Sequence, residues 1–234
     1  VQKWLLSALA CLSLSAAGTA AEKRFTVVRV DPGQQNLELF LNDDKGRPFK
    51  RFDRLAAWLK ARDGKLAFAM NAGMYHRDYS SVGLLVIEGK EISPLNRDDG
   101  SGNFFLKPNG VFLVSPSGPK VVETSAYAAA SKGVRIATQS GPMLVSDNAI
   151  HPAFDPKSSS RLIRNGVGVS GNTIFFVISE KPVSFYEMAV FFRDELHCPN
   201  ALYLDGVVSG IYSADARRND RRAALGPVLG ILER

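Results

Sequence analysis

The chain of 234 residues predicts one domain of the α/β to α+β class, with a mixed β-sheet built from hairpins and a few helical crossovers. Three observations carry that expectation. Short apolar runs recur, each opening at a glycine and closing at a turn: Gly83–Ile87 before Glu88-Gly89-Lys90, Gly110–Val114 before Ser115-Pro116-Ser117-Gly118, Gly141–Val145 before Ser146-Asp147-Asn148, and Gly166–Ser170 before Gly171-Asn172. Two other segments space their apolar residues three and four apart, as one face of a helix requires. No Pro/Ser/Gly-rich linker divides the chain, and its length suits a single core.

The elements follow in order. Residues 1–21 read as a signal peptide, with Lys3 as the basic start, Leu5 to Leu14 as the apolar stretch and Gly18-Thr19-Ala20-Ala21 as the cleavage region. The apolar run is too short for a membrane anchor, so no stable span is expected after cleavage. The expected location is periplasmic or secreted, and residues 22–234 form the domain. Cys198 is then the one cysteine left, which excludes an internal disulfide and is read as a buried, inert thiol. Phe25 to Val30 and Leu37 to Leu41 alternate like strands around a turn at Asp31-Pro32-Gly33. Phe52, Leu55, Ala56 and Leu59 mark a helix that Gly64 closes, and Leu66 to Met70 is a buried strand. Ser184 with Glu187 is a capping box ahead of the apolar face Phe185, Met188, Ala189, Phe192 and Leu196. The strand Ala201 to Leu204 then runs into Asp205-Gly206, and ligands collect beyond the carboxyl ends of strands in α/β sheets.

Composition narrows the function. A formal charge of +6 is mildly basic and suits an anionic small substrate or an envelope surface. The dense basic run Arg217-Arg218-Asn219-Asp220-Arg221-Arg222 reads as a solvated loop, and no nucleic-acid-binding module accompanies it. His76, His151 and His197 lie far apart and no cysteine cluster exists, so no zinc site and no cofactor is predicted. Oxygen-ligated Ca²⁺ or Mg²⁺ stays open, because such sites leave little trace in sequence.

Five polar clusters interrupt the apolar strands: Met70-Asn71-Ala72-Gly73-Met74-Tyr75, Pro108-Asn109-Gly110-Val111-Phe112, Thr138-Gln139-Ser140-Gly141-Pro142-Met143-Leu144, Arg161-Leu162-Ile163-Arg164-Asn165-Gly166-Val167-Gly168, and Tyr203-Leu204-Asp205-Gly206-Val207-Val208-Ser209-Gly210. A lone Asn-Gly or Asp-Gly is a turn. This ordered set, from about Leu66 to Ser213, resembles the phosphodiester glycosidase domain family, which includes the lysosomal mannose-6-phosphate uncovering enzyme. That branch tends to continue Leu-Asp-Gly with Gly and Ser; here Val207-Val208-Ser209-Gly210 follows, which resembles a bacterial branch.

The resemblance implies hydrolysis of a sugar joined through its anomeric oxygen to phosphate, with a sugar-phosphate small molecule or glycopolymer as partner. A phosphate monoester leaves as a stable anion, so acid assistance matters less than in an ordinary glycosidase. Asp205 is then the reacting carboxylate, Arg164 the phosphate clamp by its planar fork, and Asn71 a third catalytic candidate. Asn109 and Gln139 are expected to bind sugar hydroxyls or orient water. Ser140, Gly141, Gly206 and Ser209 complete the expected substrate contacts with hydroxyl and backbone donors. Glu187 is read as a cap, and Glu180 is an alternative second carboxylate. Two rival functions share the pocket: a metal-assisted phosphodiesterase attacking phosphorus, and a non-catalytic envelope glycan-binding protein.

Overall fold

The structure, a computed structural model, describes residues 24–233; the expected leader, 1–21, lies outside them. Strands β1 (Phe25–Val30) and β2 (Asn36–Phe40) lead through helix α1 (Phe52–Lys60) to β3 (Lys65–Asn71). The hairpins β4 (Leu85–Ile87)/β5 (Lys90–Ser93) and β6 (Gly110–Ser115)/β7 (Gly118–Glu123) follow. A single turn of helix, α2 (Tyr127–Ala130), precedes β8 (Ile136–Ser140), β9 (Met143–Ser146) and β10 (Ala149–Ile150). The hairpin β11 (Asn165–Ser170)/β12 (Thr173–Ser179) continues through α3 (Phe185–Val190) to β13 (Asn200–Asp205), β14 (Ile211–Ser213), β15 (Arg218–Asn219) and β16 (Val228–Glu233).

The strands form three sheets, ordered β1-β12-β11-β13-β9-β10, β15-β14-β3-β16-β2 and β5-β4-β8-β6-β7. This is an α+β domain. Its sheets differ in one respect from the mixed sheet expected: every neighbouring pair is antiparallel. The two helical crossovers do exist. Helix α1 connects β2 to the parallel β3, and α3 connects β12 to the parallel β13. In each case a strand of opposite direction, β16 or β11, lies between the two. The turn at residues 31–35 forms as read, but β1 and β2 do not pair across it; β1 joins β12 and β2 joins β16.

One central core lies among the three sheets. Phe176 of β12 stacks on Phe68 of β3 (6.0 Å between ring centres) and meets Phe112 of β6 edge-on (5.8 Å), so three rings tie three sheets together. Each sheet also covers its outer face. Helix α3 and the π-helical turn Phe191–Glu195 pack Met188, Phe191 and Phe192 on the first, α1 packs Phe52, Leu55 and Leu59 on the second, and Val134 with the partly buried Tyr127 covers the third. Strands buried on both faces explain the unbroken apolar runs such as Leu66–Met70 and Val111–Val114. Helix α3 begins as expected: the Ser184 hydroxyl accepts from the Glu187 amide (3.2 Å), and the Glu187 carboxylate accepts from the Ser184 amide (2.9 Å). Cys198 is buried, and burial alone pushes its thiol up to about 12.

Candidate active site

The polar interruptions of the sequence gather at one end of the three sheets. Strand β3 ends there at Asn71, β8 at Ser140 and β13 at Asp205, while β11 begins there at Asn165. Antiparallel register sets Asn165 opposite Asp205. Side chains then stitch the sheets to one another. Asn165 Nδ2 donates to both the backbone oxygen and Oδ1 of Asn71 (3.1 Å each), joining the first sheet to the second. The Ser140 hydroxyl donates to Leu204 O (3.0 Å), joining the third to the first, and the Gly73 amide donates to Thr138 Oγ1 (3.1 Å), joining the second to the third.

The turn after β13 is organised around Asp205. Its Oδ1 accepts from the amides of Gly206 (2.5 Å), Val207 (2.8 Å) and Val208 (3.3 Å). Among the described residues nothing donates to Oδ2, and the residue is half-buried, so one oxygen is anchored and the other is left unbonded. The Ser209 hydroxyl sits between Asp205 O (2.8 Å) and Asn165 Oδ1 (3.1 Å), and the Gly210 amide donates to Asn71 Oδ1 (3.0 Å). Asn71, Asn165, Ser209 and Asp205 are therefore one network, closed on a loop of five residues.

Arg164 lies behind this turn and is buried, 1% exposed. Its Nε donates to Val183 O (2.9 Å), Nη1 to the Tyr203 hydroxyl (3.3 Å) and Nη2 to Ser160 O (3.3 Å), and its guanidinium stacks on Phe185 at 3.8 Å. No carboxylate among the described residues pairs with it. A guanidinium carries a permanent charge, and burying one without a counter-ion costs on the order of several kcal/mol, which a cation–π contact offsets in part. Tyr203 stands between the two charges. Burial raises its phenol above the ordinary value, Arg164 opposes that and Asp205 adds to it. Gly206 packs directly over the Tyr203 hydroxyl, where any Cβ would collide with it. Tyr75 borders the same turn: burial first, then the charge of Asp205, pushes its phenol up to about 12, and its hydroxyl donates to Ala224 O (2.6 Å).

The residues anticipated from sequence divide into two groups. Asp205, Asn71, Ser209, Gly206 and Ser140 meet at the junction, with Arg164 beneath it. Gln139 does not join them: its amide is buried and committed elsewhere, accepting from the Leu84 and Asn96 amides (3.0 and 2.9 Å) and donating to Asn96 O (2.6 Å) and Thr124 Oγ1 (3.1 Å). Asn109 donates to Phe104 O (2.9 Å) and lines a separate cavity of 420 Å³ with Arg97, Lys107 and Thr124. Gly141 lies between the two groups; a Cβ there would come within 2.6 Å of Phe104 O and 2.7 Å of Asn109 Cβ, so glycine permits the close approach. Glu187 caps α3 and pairs with Arg24 and Arg161, while Glu180 is held by Arg218 and Thr26; neither bonds into the network. Arg218 and Arg221 of the basic run pair with Glu180, Asp220 and Asp53.

Asn165, Tyr203 and Tyr75 join the site although the sequence reading, which placed them in the polar clusters, gave them no role. Tyr203 carried a readable signal, since residues two apart on a strand share a face and Asp205 follows at that spacing. Asn165 carried none beyond its place next to Arg164, because its partners are 94 and 44 positions away.

A family model described as phosphodiester glycosidase matches residues 64–231. YigE of Escherichia coli K12, an uncharacterised protein, is 34% identical over 185 residues, which span 78% of this chain and 72% of YigE. Among solved structures, the catalytic domain of zebrafish N-acetylglucosamine-1-phosphodiester alpha-N-acetylglucosaminidase, auto-inhibited by its pro-peptide, superposes with a TM-score of 0.64 at 15% identity, covering 89% of this chain and 76% of that one. A hypothetical protein from Synechocystis gives 0.57 at 13% identity, covering 90% and 59%. At these identities the likeness is one of fold. Among the described residues, no helix is long and apolar enough to cross a membrane.

Proposed function

The chain belongs to the phosphodiester glycosidase family, and we propose that it is an exported hydrolase that cleaves the glycosidic carbon–oxygen bond of a sugar-1-phosphodiester in glycans of the cell envelope. The observation that carries this reading is the pairing around Tyr203: a carboxylate with one oxygen anchored on one side and, on the other, a buried guanidinium with no carboxylate partner among the described residues. That combination suits a substrate with an electrophilic carbon next to an anionic leaving group.

Asp205 activates water toward the anomeric carbon or attacks that carbon itself, with its unbonded Oδ2 as the reacting atom. Oδ1, anchored by three amides, keeps the carboxylate in one orientation, which is the positional restraint that makes such a group effective. Arg164 acts on the phosphate through its charge, from beneath the Gly206 turn. Phosphate expelled as a monoester is already a stable anion, so no second carboxylate is required to protonate it. Asn71, Ser209 and Ser140 are buried and bonded within the protein, so their part is to hold the Asp205 turn in place. Export rests on the leader-like residues 1–21.

The test is hydrolysis of a panel of sugar-1-phosphodiesters in ¹⁸O-labelled water. The expected result is label in the sugar hydroxyl, and none when Asp205→Asn replaces the wild type. Label in phosphate would mean attack at phosphorus, and saturable binding without turnover would mean a glycan-binding protein; either outcome rejects the glycosidase.

A further inference from the structure

The 420 Å³ cavity beside Asn109 shares no residue with the Asp205 turn. Its size falls within the range of about 300–1,000 Å³ that small-molecule sites occupy. Two anchored pieces of chain line it. Asn109 and Thr124 stand just beyond the end pair of the β6/β7 hairpin, Gly110 opposite Glu123, and the Thr124 amide donates to Asn109 O (3.0 Å). Residues 96–99 are the second piece. The Asn96 amide donates to Gln139 Oε1 (2.9 Å), and Lys107 Nζ donates to Arg97 O (3.2 Å) and Asp99 Oδ1 (2.5 Å).

The buried pair leaves one acceptor and one donor unspent. Asn109 Nδ2 is committed to Phe104 O (2.9 Å), but among the described residues nothing donates to Oδ1. The one side-chain nitrogen or oxygen there that is sealed in without a partner is Ser81 Oγ, so Asn109 Oδ1 is open to the cavity. Thr124 Oγ1 accepts from Gln139 Nε2 (3.1 Å) and donates to none of the described residues, so its proton is free for a ligand. Gln139 thus stands behind the cavity and orients a hydroxyl that lines it. Arg97 is exposed, and its guanidinium has no hydrogen bond or ion pair among the described residues. Glu123 lines the cavity too, its oxygens accepting from the Ser146 and Ser125 hydroxyls (3.0 and 3.5 Å).

Each group excludes a class of ligand. A bare anion suits Arg97 and Lys107 but brings no proton to Asn109 Oδ1 or Glu123. A neutral ligand leaves the Arg97 charge unanswered. No lining residue is aromatic, so a flat base finds no ring to stack on. A sugar hydroxyl donates and accepts, which serves Asn109 Oδ1 and the Thr124 hydroxyl together. An anionic group on the same ring then meets the planar fork of Arg97. We infer that this cavity is a second carbohydrate site, and that its ligand is a single sugar unit bearing a phosphate or a carboxylate. The site holds glycan without cleaving it and does not rest on the glycosidase reading.

The experiment titrates ¹⁵N-labelled protein with glucose 6-phosphate, glucuronate, glucose and inorganic phosphate and follows the amide shifts. At least one of the two anionic sugars is expected to bind about tenfold more tightly than glucose or inorganic phosphate, and to move the amides of Arg97, Thr124 and Ser125. Whichever of the two binds more tightly identifies the anion. Arg97→Gln removes an exposed side chain with no bonds to lose, and is expected to weaken that binding about tenfold. Thr124→Val, its fold verified by a circular dichroism melt, is expected to weaken it as well. Saturation by neither anionic sugar, inorganic phosphate bound as tightly as the sugars, or an affinity unchanged by Arg97→Gln would overturn the site. Asp205→Asn is expected to bind the same sugar with wild-type affinity. A changed affinity there, or shifts confined to the Val207 and Val208 amides, would place the ligand at the Asp205 turn and overturn the second site while leaving the hydrolase standing. Cavity binding with no hydrolysis of any diester supports the second site and counts against the hydrolase instead.

Discussion

Asn165 shows how much one buried amide can organise. Its Nδ2 satisfies two oxygens of Asn71, and its Oδ1 takes the Ser209 hydroxyl, so three segments of chain meet on a single side chain. Replacing it by alanine removes three hydrogen bonds from a buried site, at about 1–3 kcal/mol for any group there left without another partner. Asn165→Ala is therefore expected to lower the urea midpoint clearly and to speed hydrogen exchange at the Gly210 amide, whose acceptor is Asn71 Oδ1. Arg164→Lys is expected to cost a similar amount, since a lysine cannot serve Val183 O, the Tyr203 hydroxyl and Ser160 O together. Cys198 should resist iodoacetamide in the native protein at pH 8, because burial pushes its thiol up to about 12 and the thiolate is the reacting form. Asp205 was readable as a member of the polar junction from its place at the end of an apolar strand. Gln139 was misleading in the same way. It also ends such a strand, but the direction of its side chain depends on how β8 pairs with β4 and β6.

Among the elements, α3 was the most legible. Its capping box and apolar face are local, and both are found. Ser184→Ala is expected to cost about 1 kcal/mol of stability, measured by chemical denaturation. Glu187 adds a pH dependence. Burial works against its ionisation, but the Ser184 amide, Arg24 and Arg161 outweigh that and hold the carboxyl below its ordinary value. A depressed carboxylate contributes stability that is present above the unfolded-state value and is lost as pH falls through the folded one. The stability gap between wild type and Glu187→Gln should therefore be full at neutral pH and close below pH of about 4; a gap independent of pH would contradict the assignment. The hairpins β4/β5, β6/β7 and β11/β12 were legible for the same reason as the helix, since the turn residues lie between the strands they join. The turn at residues 31–35 was legible too, but not where its strands would go, because each pairs with a strand more than 100 positions away.

Across the whole molecule, the site depends on the meeting of three sheets. Phe68, Phe112 and Phe176 hold them at the centre, each from a different sheet. Phe176→Ala is expected to cost about 3–5 kcal/mol, and to loosen the Asn71–Asn165 and Ser140–Leu204 links, which cross the same boundaries. The measurement is a denaturation curve paired with hydrogen exchange at the strand ends; loss of stability confined to β12, with the other two sheets unchanged, would argue against a shared core.

Read along the chain, the amino acids were sufficient for the class of fold, the two longer helices, most hairpins and the family. Each of these rests on patterns within a few tens of residues: apolar period, caps, turn chemistry and the order of motifs. The division into three antiparallel sheets, the bond from Asn165 to Asn71, the commitment of Gln139 to backbone and the burial of Arg164 beneath Gly206 came only with the folded chain. Those features are contacts between positions tens to more than a hundred residues apart, and a strand's own pattern is satisfied equally well by either direction of its neighbour. The pairing found covers all three sheets on both faces and leaves their polar ends together.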